Sequence, residues 1–408
     1  MGRFANLKQM ADEYAKKIMG SNCYIVLVYL ISIIFLIVFT YSFYLRAELN
    51  KFNTGIRKMK SAKEEHDLNV DMPSITALTN SDYTAKTPED GLPYGLIDYY
   101  VMGSFNSCCT GDVINGYVSL EALKQVIGYG VRLLDFEIYF KDGKVVVAAG
   151  RNNIYMKDTY NELDIDSVLE AVRRYALRGS AGNFNMSDPL ILNFRIITEN
   201  KNVYHVLEKA IMKNFSDYLA DRKFGKEGRR QNTDIFTTNF NNIRGKVIIL
   251  VDDPTENYRD VPDFYELVNG TTKRYVRKYT DYQMKNEKSN ETYISETKNN
   301  FVISTPDVME QRNSSYQVHH NLGAQGVLMN FGGGYNDENL KGYIRKFSMS
   351  QKAFLLKPKH LQRSRGAIDV PVEQDPELSF AMQQAETTIQ GTDMNIQFRG
   401  SSGENINL

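Results

Sequence analysis

Cysteine is scarce in this 408-residue chain: Cys23, Cys108 and Cys109 are all it contains. An odd and sparse set cannot build a disulfide framework, so the fold must rest on its apolar core. Neither sign of charge is in excess, with 49 Lys+Arg against 49 Asp+Glu. That balance excludes the basic surface on which phosphate-backbone binding depends, and nucleic acid is not expected as a partner. No internal repeat is visible, which sets aside solenoids and propellers. An N-terminal acyl anchor is also excluded, because Met1-Gly2 opens the myristoylation pattern but Asn6 stands where Ser or Thr is required. What the chain does have is an apolar content of 42%, enough for a sizeable core. Without an anchor and tails about 270 residues remain, enough for one large α/β barrel or two ordinary domains.

The longest apolar run lies near the N-terminus, with no charged residue between Lys17 and Arg46. From Tyr24 to Leu45 it would cover about 33 Å as a helix, the hydrocarbon thickness of a bilayer. Tyr24 at one end and Tyr41 and Tyr44 at the other suit the two interfaces. A signal peptide would be shorter, and a buried core helix would carry a polar face. Residues 23–45 are therefore expected to be a transmembrane helix after an N-terminal segment, 1–22. Lys and Arg flank both sides, and the balance leans toward a cytoplasmic or otherwise reducing side for the C-terminal part. The basic stretch from Arg46 to His66 reads as a helical stalk, either lying against anionic headgroups or serving as a solvated spacer. Residues 67–90, with Pro73 and Pro88, read as a linker, which makes 46–90 a stalk and linker.

Beyond the stalk, helical and strand patterns alternate. Ser119–Gly128 has helical spacing; Arg132–Phe140 and Lys144–Ala149 flank an Asp142-Gly143 turn, the two-residue hairpin signature. Ser167 and Glu170 form a capping box at the head of a helix reaching Leu177. Leu190–Ile196, Lys246–Val251, Val327–Phe331 and Ala353–Leu356 are continuous apolar runs, as in parallel strands buried on both faces. The alternation predicts a TIM-type (β/α)8 barrel over 91–363, with a doubly wound sheet as the rival. Residues 364–408 are rich in Gln, Gly and Asn and read as a polar C-terminal tail.

Seven blocks then suggest a family. Residues 104–112, SFNSCCTGD, resemble the S-H-N-T-Y-L-T-G-D motif of eukaryotic-type phosphoinositide-specific phospholipase C. GVRLLDFEIY at 130–139 resembles its G-C-R-C-V-E-L-D-C-W strand, and VVAAGRN at 146–152 resembles V-V-Y-H-G-H-T. PLILNFRI at 189–196, RGKVIILVDD at 244–253, GAQGVLMNF at 323–331 and AFLLKP at 353–358 resemble four later blocks, in the family's order. The resemblance spans both the X and Y halves and implies the phospholipase C barrel.

It also implies the chemistry to look for. In the family two histidines act as general acid and base, and calcium activates the inositol hydroxyl. Phe105 and Arg151 occupy the positions of those histidines. Phe carries no transferable proton, and Arg stays protonated at any biological pH. The five histidines, His66, His205, His319, His320 and His360, lie outside the matching motifs. Of the calcium ligands Asn106 remains, Asp135 and Glu137 appear with their side-chain lengths exchanged, and Arg195 stands where a glutamate belongs. A guanidinium there would repel a divalent cation, or take its place beside Asp135 or Glu137. The phosphate-gripping lysines correspond to Leu250 and Asp252.

The resemblance therefore implies a pseudoenzyme with no catalytic residue and with calcium lost. Arg151 and Arg195 are candidate anion-binding residues, with internal salt bridges to Asp135 and Glu137 as the alternative. Cys108-Cys109 reads as a buried apolar pair, and His319-His320 as a surface or loop feature. The expected role is binding or structural assembly at a bilayer reached through Tyr24–Leu45, with protein partners and, as a further candidate, anionic lipid headgroups. A virion membrane or minor capsid component is one setting that suits it. The rivals are an active phosphodiesterase with non-standard residues and a non-hydrolytic headgroup-binding module.

Overall fold

The structure, a computed structural model, describes residues 2–363 except 20–21, 70–71, 89–90, 112, 152–155, 183, 226–232, 308–311 and 334–336. The C-terminal tail, 364–408, lies outside the described residues.

Eight parallel strands form a nearly closed ring: β1 (Tyr99–Ser104), β2 (Leu133–Lys141), β5 (Leu190–Ile196), β6 (Val247–Asp252), β7 (Gly270–Thr271), β8 (Val276–Thr280), β9 (Phe301–Thr305) and β10 (Gly326–Met329). Each pairs with the next in chain order except β7 with β8, and β10 returns to β1. A single bridge between Thr271 and Tyr275 connects the two ends of the path. This is the (β/α)8 barrel that the alternating pattern predicts, since right-handed crossovers bring sequential strands side by side. β3 (Lys144–Ala148) and the two-residue β4 (Leu163–Asp164) extend β2 outside the ring through the Asp142-Gly143 turn. Asp142 and Gly143 both have positive φ, 50° and 77°, the backbone of a tight hairpin turn. β11 (Phe354–Leu356) runs antiparallel to β1. The last apolar run is thus a flap on the outside of β1, and no parallel stave.

The staves β1, β5, β9 and β10 are buried along their whole length, and β5 and β10 fall on the apolar runs that mark strands buried on both faces. Inside the ring the fit is close. A Cβ on Gly103 would come within 2.7 Å of a Leu328 methyl, and one on Gly326 within 2.5 Å of a Leu133 methyl. The two glycines make room for leucines whose burial stabilises the fold by about 1.5–3 kcal/mol each. The helix Leu120–Gly128 is capped by Ser119, whose Oγ accepts from Glu121 N at 3.1 Å. The helix Ile165–Val172 starts earlier than the Ser167 capping box predicts. Asp164 is its cap, accepting from Ser167 N at 3.2 Å, so Ser167 lies inside the first turn.

One N-terminal helix, Asn22–Leu68, is long and apolar enough to cross a membrane. Its 47 residues extend about 70 Å. From Ile25 to Leu45 its apolar side chains are exposed, with no protein surface covering them. Further along, the stalk is neither a solvated spacer nor free to lie on headgroups, because it packs against the barrel. Phe52 meets Tyr117 edge-on at 5.3 Å, Met59 and Ala62 are buried, and the His66 ring packs against Tyr129 at 5.0 Å. The stretch read as a linker is also packed: Ile75, Leu78 and Tyr83 are buried. Leu78 N and the Tyr83 hydroxyl both donate to Asp188 Oδ1 at 2.9 Å. Polar composition concealed three apolar anchors there.

Candidate functional site

Strand alternation places residues two apart on one face of a sheet. Asp135, Glu137 and Tyr139 share a face of β2, as Asn193 and Arg195 do on β5. Register sets Asp135 beside Asn193 and Glu137 beside Arg195. The loop after β1 adds Phe105 and Asn106. These groups converge at the carboxyl end of the barrel, where such barrels hold their sites.

Arg195 is at the centre. Its Nε donates to Asp135 Oδ1 at 3.0 Å and Nη2 to Asp135 Oδ2 at 2.8 Å. Nη1 donates to Glu137 Oε1 at 2.7 Å, and Nη2 also reaches Asn106 Oδ1 at 2.6 Å. Other donors complete the shell: Asn193 Nδ2 and Asn106 N reach Asp135 at 2.8 and 3.0 Å. Asn106 Nδ2, the Tyr139 hydroxyl and Gly150 N reach Glu137 at 3.2, 2.8 and 2.7 Å. All four carboxylate oxygens therefore accept at least two hydrogen bonds. Phe105 lies over the guanidinium, 4.7 Å from its ring centroid to the Arg195 Cζ, in cation–π contact.

The electrostatics follow from burial. Asp135 and Glu137 have no exposed surface and Arg195 retains 3%. Burial works against the charge of Arg195, but Asp135 and then Glu137 outweigh it and hold its pKa above the ordinary value. Glu137 also keeps the Tyr139 hydroxyl protonated, adding to burial, which raises its pKa most. This cluster does not fit a divalent cation. The oxygens that would ligate it are taken up by fixed donors, and a permanent positive charge stands between them. Among the described residues no group of three His, Cys, Asp or Glu side chains is placed to hold a metal.

Arg151 is placed elsewhere. Its side chain is 44% exposed and forks onto Asp158, Nε at 3.2 Å and Nη2 at 3.0 Å, instead of onto Asp135 or Glu137. That carboxylate raises the Arg151 pKa, and Arg151 in turn lowers that of Asp158. Of the two anion-binding candidates only Arg151 is open to solvent; the buried Arg195 is committed to its internal partners. Leu250 is buried, and Asp252 pairs with Lys278 from β8 and accepts from Thr272 Oγ1 at 3.1 Å.

Cys108 and Cys109 are buried free thiols, and burial raises both pKa values, so they are inert apolar filling. Gly332 serves a close approach: a Cβ there would lie 2.4 Å from Gly111 N. Contrary to a surface role, His319 and His320 are each 2% exposed. His320 stacks on Tyr100 at 4.1 Å, and its Nδ1 accepts from Lys346 Nζ at 2.8 Å; burial, then Lys346, lowers its pKa well below the ordinary value. His319 links Ser304 Oγ (2.6 Å, at Nδ1) to Asp281 Oδ1 (2.8 Å, at Nε2) beside a small hollow at the ends of β9 and β10. This chain was not legible in sequence, because its members lie 15 to 38 residues apart. Asn193 and Tyr139 could have been found, since each is two positions from a residue already singled out.

The barrel and this arrangement of its rim define a fold of the phospholipase-C-like phosphodiesterase kind. Residues 93–252 match the family model described as phosphatidylinositol-specific phospholipase C, X domain. The chain is thus phosphoinositide phospholipase C-like. Its fold is similar to that of L. pealei PLC21, with a TM-score of 0.54 at 18% identity over 71% of this chain and 40% of that one. S. officinalis PLC21 gives 0.51 at 17%, over 66% and 38%. The chain spans about two fifths of the length of these two enzymes. The blocks at 323–331 and 353–358 lie beyond the family-model match, in the last part of the barrel. No curated protein matches the sequence.

Proposed function

We propose that this protein is a membrane-anchored, catalytically inactive phospholipase C-like barrel that serves binding or assembly. The observation that carries this is the closed shell around Arg195. With Phe105 and Arg151 where the resemblance puts histidines, no imidazole contacts Arg195, Asp135 or Glu137 among the described residues, and the acid–base pair of the family has no counterpart there. With Arg195 between Asp135 and Glu137, calcium has no place in it. A barrel without turnover but fixed to a bilayer fits a scaffold within a larger assembly, such as the membrane-facing layer of a virion. Purified full-length protein, given phosphatidylinositol and its phosphates with calcium present or chelated, is expected to show no hydrolysis. Turnover that Asp135→Asn abolishes would overturn the reading.

A second reading rests on His319. It is an imidazole at the carboxyl end of the barrel, joined to an acid and a hydroxyl and beside a hollow. If the protein hydrolyses headgroups by unfamiliar residues, His319 is where the proton would move. Hydrolysis lost in His319→Ala and retained in Asp135→Asn would favour it.

A further inference from the structure

The stalk does more than connect. Its contacts recur along one helical face, at Phe52, Ile56, Met59, Lys63 and His66, and they meet the barrel in a fixed direction. Near its upper end Lys51 Nζ donates to Asn115 O and Phe52 packs on Tyr117, both in the loop after β1. At Gly55 the stalk comes so close that a Cβ would lie 2.8 Å from Thr110 O. Further on, Lys60 pairs with Glu121 at 3.3 Å, at the start of the helix after β1. At the lower end His66 reaches Tyr129, just past the end of that helix, and Ser348 Oγ at 3.2 Å, near the end of Glu338–Ser350. Both helices run from the carboxyl to the amino end of the barrel, so the stalk does too, parallel to them.

We infer that this docking fixes the carboxyl end of the barrel against the bilayer and makes its loops part of the membrane interface. The inference rests on the reading of Tyr24–Leu45 as the span. From Leu45 to Lys51 the continuous helix advances only about 9 Å, close to the depth of the headgroup layer beyond the hydrocarbon. No break separates span from stalk: Asn22–Leu68 is one helix. The loop residues at that level have interfacial chemistry. Tyr160 is 46% exposed, packs on Tyr117 at 5.3 Å, and lies under Lys51 Nζ at 5.9 Å. Tyr117 in turn packs on Phe52. Together with the exposed Tyr41 and Tyr44 of the helix, these rings form an aromatic belt to which helix and barrel both contribute. Exposed Met156 on the same loop adds an apolar contact. The partner of this surface is the lipid headgroup layer.

The chain contains no tryptophan, so a single introduced one reports alone. Full-length Tyr160→Trp is reconstituted in phosphatidylcholine vesicles carrying lipid brominated near the top of the acyl chain. Met156→Trp is a second probe at this end, and Phe184→Trp, 60% exposed in the loop before β5, reports from the amino end. Quenching at 160 and 156 is expected to exceed that at 184 at least twofold. Gly55→Leu, which pushes the stalk off Thr110 while favouring helix, should bring the three positions together. Equal quenching at both ends, or more at 184, overturns the orientation while leaving the span intact. Release of the chain by alkaline carbonate overturns the span and the orientation with it.

Discussion

Two sides of the barrel rim use similar residues to opposite ends. On the β1–β2–β5 side, Arg195 is enclosed by two carboxylates, and every carboxylate oxygen is taken. On the β8–β9 side, Asp281 accepts from His319, Lys285 at 2.7 Å and Ser314, beside a hollow. The first cluster is held by a guanidinium, the second by an imidazole, an ammonium and a hydroxyl. A guanidinium that fills the space between two carboxylates acts as a rigid strut.

The comparison breaks most readily at Arg195. Arg195→Ala removes the cation bonded to both fully buried carboxylates, and leaving such charges uncompensated costs about 3–5 kcal/mol. Denaturant unfolding of the full-length protein in detergent should show that loss; a change below about 1 kcal/mol would mean that the shell is not closed. Replacing all three with neutral counterparts, Arg195→Met with Asp135→Asn and Glu137→Gln, should recover most of it, because no charge is then left buried.

Why the sequence disclosed one cluster and hid the other is itself physical. The ring of strands was legible because staves buried on both faces are largely apolar runs, as Val247–Val251 is. Arg195, Asp135 and Glu137 could be placed together because the resemblance supplied register, which a single sequence does not carry. Docking of the stalk could not be read: its contact face (Phe52, Ile56, Met59) is sparse among lysines. Asp281, Ser304 and His319 come together only through the β8 and β9 crossovers. The Phe354–Leu356 strand was misplaced because apolar run and length do not distinguish a stave from a flap.

The next prediction concerns pH and separates the two sides. Burial raises the Asp281 pKa, but hydrogen bonds from His319, Lys285 and Ser314 outweigh it and hold it below its ordinary 3.8. A carboxyl with a depressed folded pKa contributes stability that is present above the unfolded value and lost as pH falls through the folded one. Stability should therefore decline below about pH 4, and the decline should be shallower in Asp281→Asn. Arg195 carries the opposite sign, with a raised folded pKa, so its contribution would fade only far on the alkaline side. An equal acid slope in Asp281→Asn and the parent would show that Asp281 contributes nothing to the decline.

The smallest effect is expected at Arg151, the exposed counterpart of Arg195. An ion pair open to water is weak, so Arg151→Ala should leave the unfolding midpoint unchanged. Asp158→Ala should do more. The Asp158 carboxylate accepts from the Arg151 backbone N–H at 2.8 Å as well as from its guanidinium, and Asp158 N closes the loop by donating to Ala149 O at 2.9 Å. The first of these is lost with the carboxylate and survives Arg151→Ala. Amide hydrogen exchange at Arg151 should therefore accelerate in Asp158→Ala and stay near the parent rate in Arg151→Ala. Gly150 N, held by Glu137 Oε2 inside the Arg195 cluster, should stay protected in both. If exchange at Gly150 rose with that at Arg151, the closed shell would extend out to the rim, and the contrast between the buried arginine and the exposed one would not hold.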